Sequence, residues 1–169
     1  MDITAHAESI DLACAGSSAV VVAAGLRSWT GQDGTCLISG GPRFKAASAA
    51  LGRLRPVPDR LGVVREAAET HAVILAKNCR TEEMELTQRW AFNEAEQLCT
   101  ELEFIVPPAC AGLEYLGVEM ELGEEKLFEI QTENASSPGR EGAFMTLFLP
   151  LSPVPAGIHR MKITFIPRF

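Results

Sequence analysis

The feature that most constrains the fold of this chain is an alternation of apolar and polar residues that runs through its second half. Leu116, Val118 and Met120, for example, alternate with Gly117 and Glu119. Successive side chains of a β-strand point to opposite faces, so a period of two predicts a strand with one buried face. Such segments recur at intervals of roughly ten to fifteen residues, over residues 84–92, 98–106, 116–122, 128–132, 143–151 and 159–166. This spacing predicts an antiparallel β-sandwich or barrel-like domain.

Length and composition predict one folded domain over residues 1–169. Hydrophobic residues make up 47% of the chain and charged residues 22%, which excludes a disordered or collagen-like sequence. The longest apolar stretch, residues 19–26, is too short to cross a bilayer. The first residues carry no basic segment of the kind that begins a secretory signal. We therefore expect a soluble, cytoplasmic protein that binds no membrane.

The first half of the chain, residues 1–80, has a mixed pattern of strands and helices. Residues 9–15 and 19–29 are predicted strands, the second because it is rich in valine. Residues 43–54 are a predicted helix, because four apolar residues recur there at spacings of three and four: Phe44, Ala47, Leu51 and Leu54. Asp59 is the expected N-cap of a second helix that continues to Glu69. The predicted fold class is therefore mainly β (α+β), with a short helical insert around residues 43–69 and antiparallel β structure over 81–169.

Charge is distributed unevenly along the chain, whose formal net charge is −7. Residues 1–80 hold nine Lys and Arg against seven Asp and Glu, whereas residues 81–169 hold six against fifteen. An acidic second half repels phosphates, so we expect no DNA and no anionic membrane as a partner. The basic stretch 43–65 contains a single aromatic residue, Phe44, so it gives little support for RNA as a partner.

Three pairs of glutamates define the candidate binding surface, and each pair is predicted to lie on the outer face of its strand. The pairs are Glu83 and Glu85, Glu101 and Glu103, and Glu119 and Glu121. If these strands share one sheet, their like charges repel, and a basic partner would relieve the repulsion. The candidate basic residues are Arg43, Lys45, Arg53 and Arg55, which would contact the chain's own glutamates or those of another copy. A foreign basic surface is a further candidate partner, and a purely solubilising role for the acids is the simpler alternative.

No motif for catalysis, cofactor binding or metal binding occurs in the sequence. The five cysteines have no CxxC spacing, and neither HExxH nor GxSxG is present. The paired glutamates lie two residues apart on one strand face, which does not place two carboxylates across a cleft as glycoside hydrolysis needs. We therefore predict no catalytic residue, no metal and no cofactor. A couple of Cys36 or Cys99 with His71 would form only if the fold brought the two side chains together.

These observations favour a non-enzymatic structural or interaction protein. The expected role is a β-rich building block or adaptor of a multi-subunit assembly, for instance of a virion, with another protein or a second copy as partner. The alternative is a small intracellular inhibitor or immunity-type protein that blocks a basic partner with an acidic sheet face. An enzyme whose Cys or Glu site is assembled from distant residues is a third alternative.

Overall fold

The structure is a computed structural model that describes residues 1–48, 52–54, 56–66, 69–78, 84–123 and 128–168. Its elements are fifteen strands and one 3-10 turn, Pro108–Cys110. The strands are β1 (Asp2–Ala5), β2 (Ser9–Cys14), β3 (Ser17–Val22), β4 (Gly25–Thr30), β5 (Cys36–Ser48), β6 (Gly52–Leu54), β7 (Pro56–Glu66), β8 (Glu69–Asn78), β9 (Glu85–Phe92), β10 (Leu98–Val106), β11 (Tyr115–Leu122), β12 (Phe128–Glu133), β13 (Gly139–Glu141), β14 (Phe144–Phe148) and β15 (Gly157–Pro167). The described residues include no helix that is long and apolar enough to cross a membrane.

The strands form two sheets in which every pair is antiparallel. The nine-stranded sheet has the order β1-β2-β3-β4-β5-β11-β14-β13, and β6 pairs with β5. The six-stranded sheet has the order β12-β15-β10-β9-β8-β7. The prediction of a mainly β, antiparallel fold is confirmed, and the architecture fits a sandwich in which neither sheet closes on itself.

The two sheets bury their apolar faces against each other. In the nine-stranded sheet, Trp29 is fully buried, and its ring centroid lies 6.2 Å from that of Phe128 and 6.0 Å from that of Phe165 in the other sheet. Phe44 and Phe104 make a similar contact between the sheets at 5.9 Å. Aromatic pairs at these separations add to the stabilisation that burial of apolar area supplies. The inner face of the sandwich is therefore set by the period-two pattern of the sequence.

The helical insert predicted for residues 43–69 is wrong for the residues that the structure describes there, all of which belong to strands β5 to β8. Residues 43–48 continue β5 and pair with β11, so that Phe44 and Ala46 point inward while Arg43 and Lys45 point outward. This segment satisfies a helical spacing and a period of two at once, and its alanines favour a helix by intrinsic propensity. Pairing with β11 and burial of Phe44 against the other sheet decide in favour of the strand, because tertiary packing overrides such weak preferences.

The second predicted helix, over residues 59–69, is also wrong, because its described residues belong to β7 and β8. These two strands pair from Pro56↔Asn78 to Glu66↔Glu69 as one long hairpin. Prolines 56 and 58 are compatible with this position, because β7 is the edge strand of its sheet and proline is tolerated there. The predicted strand over residues 19–29 is in fact two strands, β3 and β4, joined by a tight turn at residues 23–24.

Gly40, Gly41 and Pro42 form a β-bulge inside β5. The register between β5 and β11 shifts between Glu119 and Glu121 at this point. Gly41 has a φ of 118°, and a Cβ there would lie 2.9 Å from the Cα of Met120. A bulge bends the strand and increases its twist, so β5 pairs with β4 at its start and with β6 at its end.

Candidate functional site

The predicted glutamates lie on both sheets rather than on one. Glu85, Glu101 and Glu103 belong to the six-stranded sheet, whereas Glu119 and Glu121 belong to the nine-stranded sheet. Glu83 and Arg55 lie outside the described residues. The condition for mutual repulsion, a shared sheet, holds for Glu85, Glu101 and Glu103 but not between these three and Glu119 or Glu121. Four of the five, all except Glu121, lie directly opposite a basic residue on one adjacent strand or on both.

A row of alternating charges crosses the outer face of the six-stranded sheet. The register pairs Glu133 with Lys162, Lys162 with Glu101, and Glu101 with Arg89, over strands β12, β15, β10 and β9. We call these four residues the charge ladder. Every charge in it has an opposite charge as its cross-strand neighbour, an arrangement that stabilises adjacent strands. The Nζ atom of Lys162 lies 3.5 Å from Oε1 of Glu133.

A second charged row runs beside the charge ladder, two residues further along each strand. Nε of Arg160 on β15 donates a hydrogen bond of 2.8 Å to Oε2 of Glu103 on β10. The Arg160 side chain is 71% exposed, while that of Glu103 is 18% exposed. On β9 the row ends at Thr87. The guanidinium group is therefore free to contact other molecules while it keeps its bond to Glu103.

On β15 and β10, the cross-strand rows that flank the two charged rows contain no charged residue. In one of them, Ile158 on β15 pairs with Ile105 on β10, and Ile158 is 59% exposed. In the other, Thr164 pairs with Cys99, whose Sγ lies 3.6 Å from the threonine Oγ1. The outer face of the six-stranded sheet thus presents an apolar row, two charged rows and a weakly polar row in sequence.

The outer face of the nine-stranded sheet pairs the predicted basic residues with the chain's own glutamates. Arg43 Nη2 lies 3.7 Å from Glu121 Oε2, and Lys45 Nζ forms an ion pair with Glu119. These ion pairs are the contacts between the basic residues and the chain's own glutamates that were considered from the sequence. Arg53, on β6, is exposed and lies opposite Ala47 in the register.

Each outer face carries an open groove lined by these charged residues. The groove on the six-stranded sheet has a volume of about 280 Å³ and is lined by the charge ladder, Glu103, Arg160 and Asn134. The groove on the nine-stranded sheet has a volume of about 320 Å³ and lies between Arg43, Glu119, Arg140 and Phe144. Both grooves are open to solvent. Surfaces of this kind suit contacts with a macromolecule better than enclosure of a small substrate.

Nucleophilic and metal-binding side chains do not come together in the part of the chain that the structure describes. The thiols there are separate, with Cys110 buried, Cys36 exposed and Cys99 half-buried. Desolvation by burial raises the pKa of the Cys99 thiol, which reduces its thiolate fraction and reactivity. No group of three or more His, Cys, Asp and Glu residues in the described ranges could hold a metal ion. The side chain of His71, the partner considered for Cys36 or Cys99, lies outside the description.

The basic members of the outer face of the six-stranded sheet were missed at the level of sequence. Each of them stands at an outward position of a predicted strand: Arg89, Arg160 and Lys162. The period of two therefore predicts that their side chains face outward. It does not predict that they pair with Glu101 and Glu103, because that pairing depends on which strands are neighbours and in what register.

Comparison with known proteins adds no family to this description. No protein-family model matches the sequence, and no curated protein is significantly similar to it.

Proposed function

We propose that this chain is a non-enzymatic interaction protein that serves as a β-sandwich building block or adaptor in a multi-subunit assembly. The observation that carries the proposal is the outer face of the six-stranded sheet, where charges of alternating sign lie beside an exposed apolar row. A rigid sheet presents such groups in fixed positions, which favours recognition of another folded surface over binding of a small molecule.

The charged rows contribute more to recognition than to stability of the isolated chain. Exposed ion pairs such as that of Lys162 and Glu133 stabilise a fold by only about 0–1 kcal/mol. Complementary charges at an interface, in contrast, accelerate encounter and fix the register of the two partners. The alternative of an inhibitor that acts through an acidic face has less support, because the described glutamates of the candidate surface lie on two sheets among basic neighbours.

The experiment that tests the proposal is a measurement of mass in solution. Sedimentation equilibrium of the 18.2 kDa chain over a range of concentrations should reveal a reversible dimer or a higher oligomer at low ionic strength. Association should weaken as salt is added, because charged contacts between exposed groups are screened. A chain that remains monomeric at every concentration and ionic strength contradicts the role of a self-assembling building block and favours the inhibitor alternative.

A further inference from the structure

We infer that the outer face of the six-stranded sheet is self-complementary and binds a second copy of this chain about a two-fold axis. The axis runs parallel to the strands and passes between β10 and β15. This inference rests on the proposed function, since it names the partner and the surface of the assembly. It is carried by the charge pattern of the face.

The two-fold operation places opposite charges of the charge ladder against each other. Rotation about this axis exchanges the positions of β15 and β10, and those of β12 and β9. Lys162 then faces the partner's Glu101, and Glu133 faces the partner's Arg89. The opposite charges meet because the rotation reverses the order of the charge ladder. A row of four alternating charges has ends of opposite sign, so its reversed copy places an opposite charge at every position. An isologous interface needs this self-complementarity.

The other rows of the face match under the same rotation. Arg160 comes opposite the partner's Glu103, and Ile158 comes opposite the partner's Ile105. The interface would therefore combine charged pairs with apolar contacts at Ile158, a side chain that is 59% exposed in the single chain. Exposed apolar groups set among polar ones are typical of protein interfaces.

A different two-fold axis gives no such match. If the axis ran along the charge ladder, each residue would face its own copy, so that Glu101 would meet the partner's Glu101 and Lys162 the partner's Lys162. Like charges at that distance are strongly unfavourable at an interface. The pattern of charge therefore specifies the axis parallel to the strands as well as the identity of the partner.

The size of the face agrees with a reversible dimer. The nine residues of β10 span about 30 Å at a rise of about 3.3 Å each. Four strands at a spacing of about 4.8 Å cover about 19 Å, but β9 has eight residues and β12 has six, so the face is about 500 Å² on each copy. The total of about 1,000 Å² lies at the lower limit of the area of specific interfaces. The internal ion pairs at Glu103 and Glu133 persist on association, so these glutamates are not buried without a cation.

The outer face of the nine-stranded sheet does not have this property and provides an internal control. Under a two-fold axis between β5 and β11, Arg43 would face the partner's Glu119, but Lys45 would face the partner's Gly117. Glu121 would face the partner's Gly40, because the bulge in β5 shifts the register there. Of the four charges on β5 and β11, Arg43 and Glu119 find an opposite charge in this way, whereas Lys45 and Glu121 face glycines, so we assign the dimer to the other sheet.

The test is complementation of two charge reversals. Glu101→Lys leaves two cations facing each other in a homodimer, and Lys162→Glu leaves two anions. Each variant alone should self-associate about tenfold or more weakly than the parent chain. A mixture of the two should associate again, because each reversed charge then faces an opposite charge on the other chain. Native mass spectrometry, with one variant isotopically labelled, distinguishes the heterodimer from both homodimers.

Two further variants guard against unfolding and a non-specific charge effect. Glu119→Lys makes the same reversal on the nine-stranded sheet and should leave association unchanged. Ile158→Asp alters an exposed residue and should weaken association while circular dichroism and the melting temperature stay as in the parent chain. A dimer that survives both reversals, or a mixture of the two folded reversal variants that does not associate, overturns this inference and leaves the proposed function standing. A parent chain that is always monomeric overturns this inference and, with it, the self-assembling building block of the proposed function.

Discussion

At the scale of single residues, the described part of the core contains a polar atom whose hydrogen-bonding capacity is not used. Thr100 is fully buried on β10, and its Oγ1 has no hydrogen-bond partner among the described atoms. A buried hydroxyl without a partner lowers stability by about 1–3 kcal/mol relative to an apolar group of the same shape. Thr100→Val should therefore raise the free energy of unfolding by about 1 kcal/mol in urea denaturation. Thr100→Ser, which keeps the hydroxyl and removes the methyl group, should lower it; equal losses in both variants would contradict this account.

Trp90 is a second residue whose role can be measured. It is fully buried, stacks on Phe165 with 6.4 Å between ring centroids, and donates a 3.3 Å hydrogen bond from Nε1 to Gln88 Oε1. Trp90→Ala should cost about 3–5 kcal/mol of stability, as large-to-small changes in a core do. Trp90→Phe keeps most of the ring volume and should cost less. A loss below about 1 kcal/mol in the alanine variant would mean that the surrounding residues repack completely.

The cysteines should differ in their reactivity because they differ in exposure. Cys36 is exposed, Cys110 is buried, and burial raises the pKa of Cys99. Since the thiolate is the reactive form, Cys99 should label more slowly than Cys36 at neutral pH. Its rate should keep rising at a pH where an ordinary thiol has already reached its limit. Peptide mapping after brief alkylation identifies each site, and a fast reaction at Cys99 would contradict the assigned environment.

At the scale of the element, a close approach of two strands explains one glycine. A Cβ at Gly117 on β11 would overlap the carbonyl oxygen of Leu147 and come within 2.8 Å of the Cα of Phe148, both on β14. Gly117→Ala should therefore push β14 away and lower the free energy of unfolding by about 1–3 kcal/mol. Gly62→Ala on β7 meets nothing within 4 Å and serves as the matched control. Similar stability of the two variants in thermal melts would contradict the close packing of β11 and β14.

The strands that could be predicted from sequence are those with one clear period. The alternation of Leu116, Val118 and Met120 has no helical reading, and these residues are buried on β11. The helix predicted for residues 43–54 is wrong in its described part because Phe44 and Ala47 also fit a helical face. The contact of Phe44 with Phe104, which favours the strand, comes from a distant part of the chain.

The outward direction of Glu101 could be predicted from the sequence. Its position between Lys162 and Arg89 could not, since strand order is a property of the whole fold.

At the scale of the whole molecule, the fold distributes the acidic second half of the chain over both sheets. Strand β11, with Glu119 and Glu121, joins the sheet of the N-terminal strands, where it meets Arg43 and Lys45 of β5. Strand β10 joins the other sheet, between β9 and β15. In the nine-stranded sheet, basic residues of the first half of the chain thus lie beside acidic residues of the second half. The two outer faces carry similar groups but differ in whether their pattern is self-complementary.

This difference leads to a prediction for glutamate neutralisation on each face. The double variant Glu101→Gln and Glu103→Gln removes the acids that would face the partner's Lys162 and Arg160, whereas Glu119→Gln and Glu121→Gln make the same change of charge on the other sheet. The first double variant should weaken self-association and flatten its dependence on salt, because fewer charged contacts remain to be screened. The second should retain both the affinity and the salt dependence of the parent chain. Sedimentation equilibrium at low and high ionic strength measures both quantities. An equal effect of the two double variants would show that total charge governs association, rather than the register of opposite charges across the six-stranded sheet.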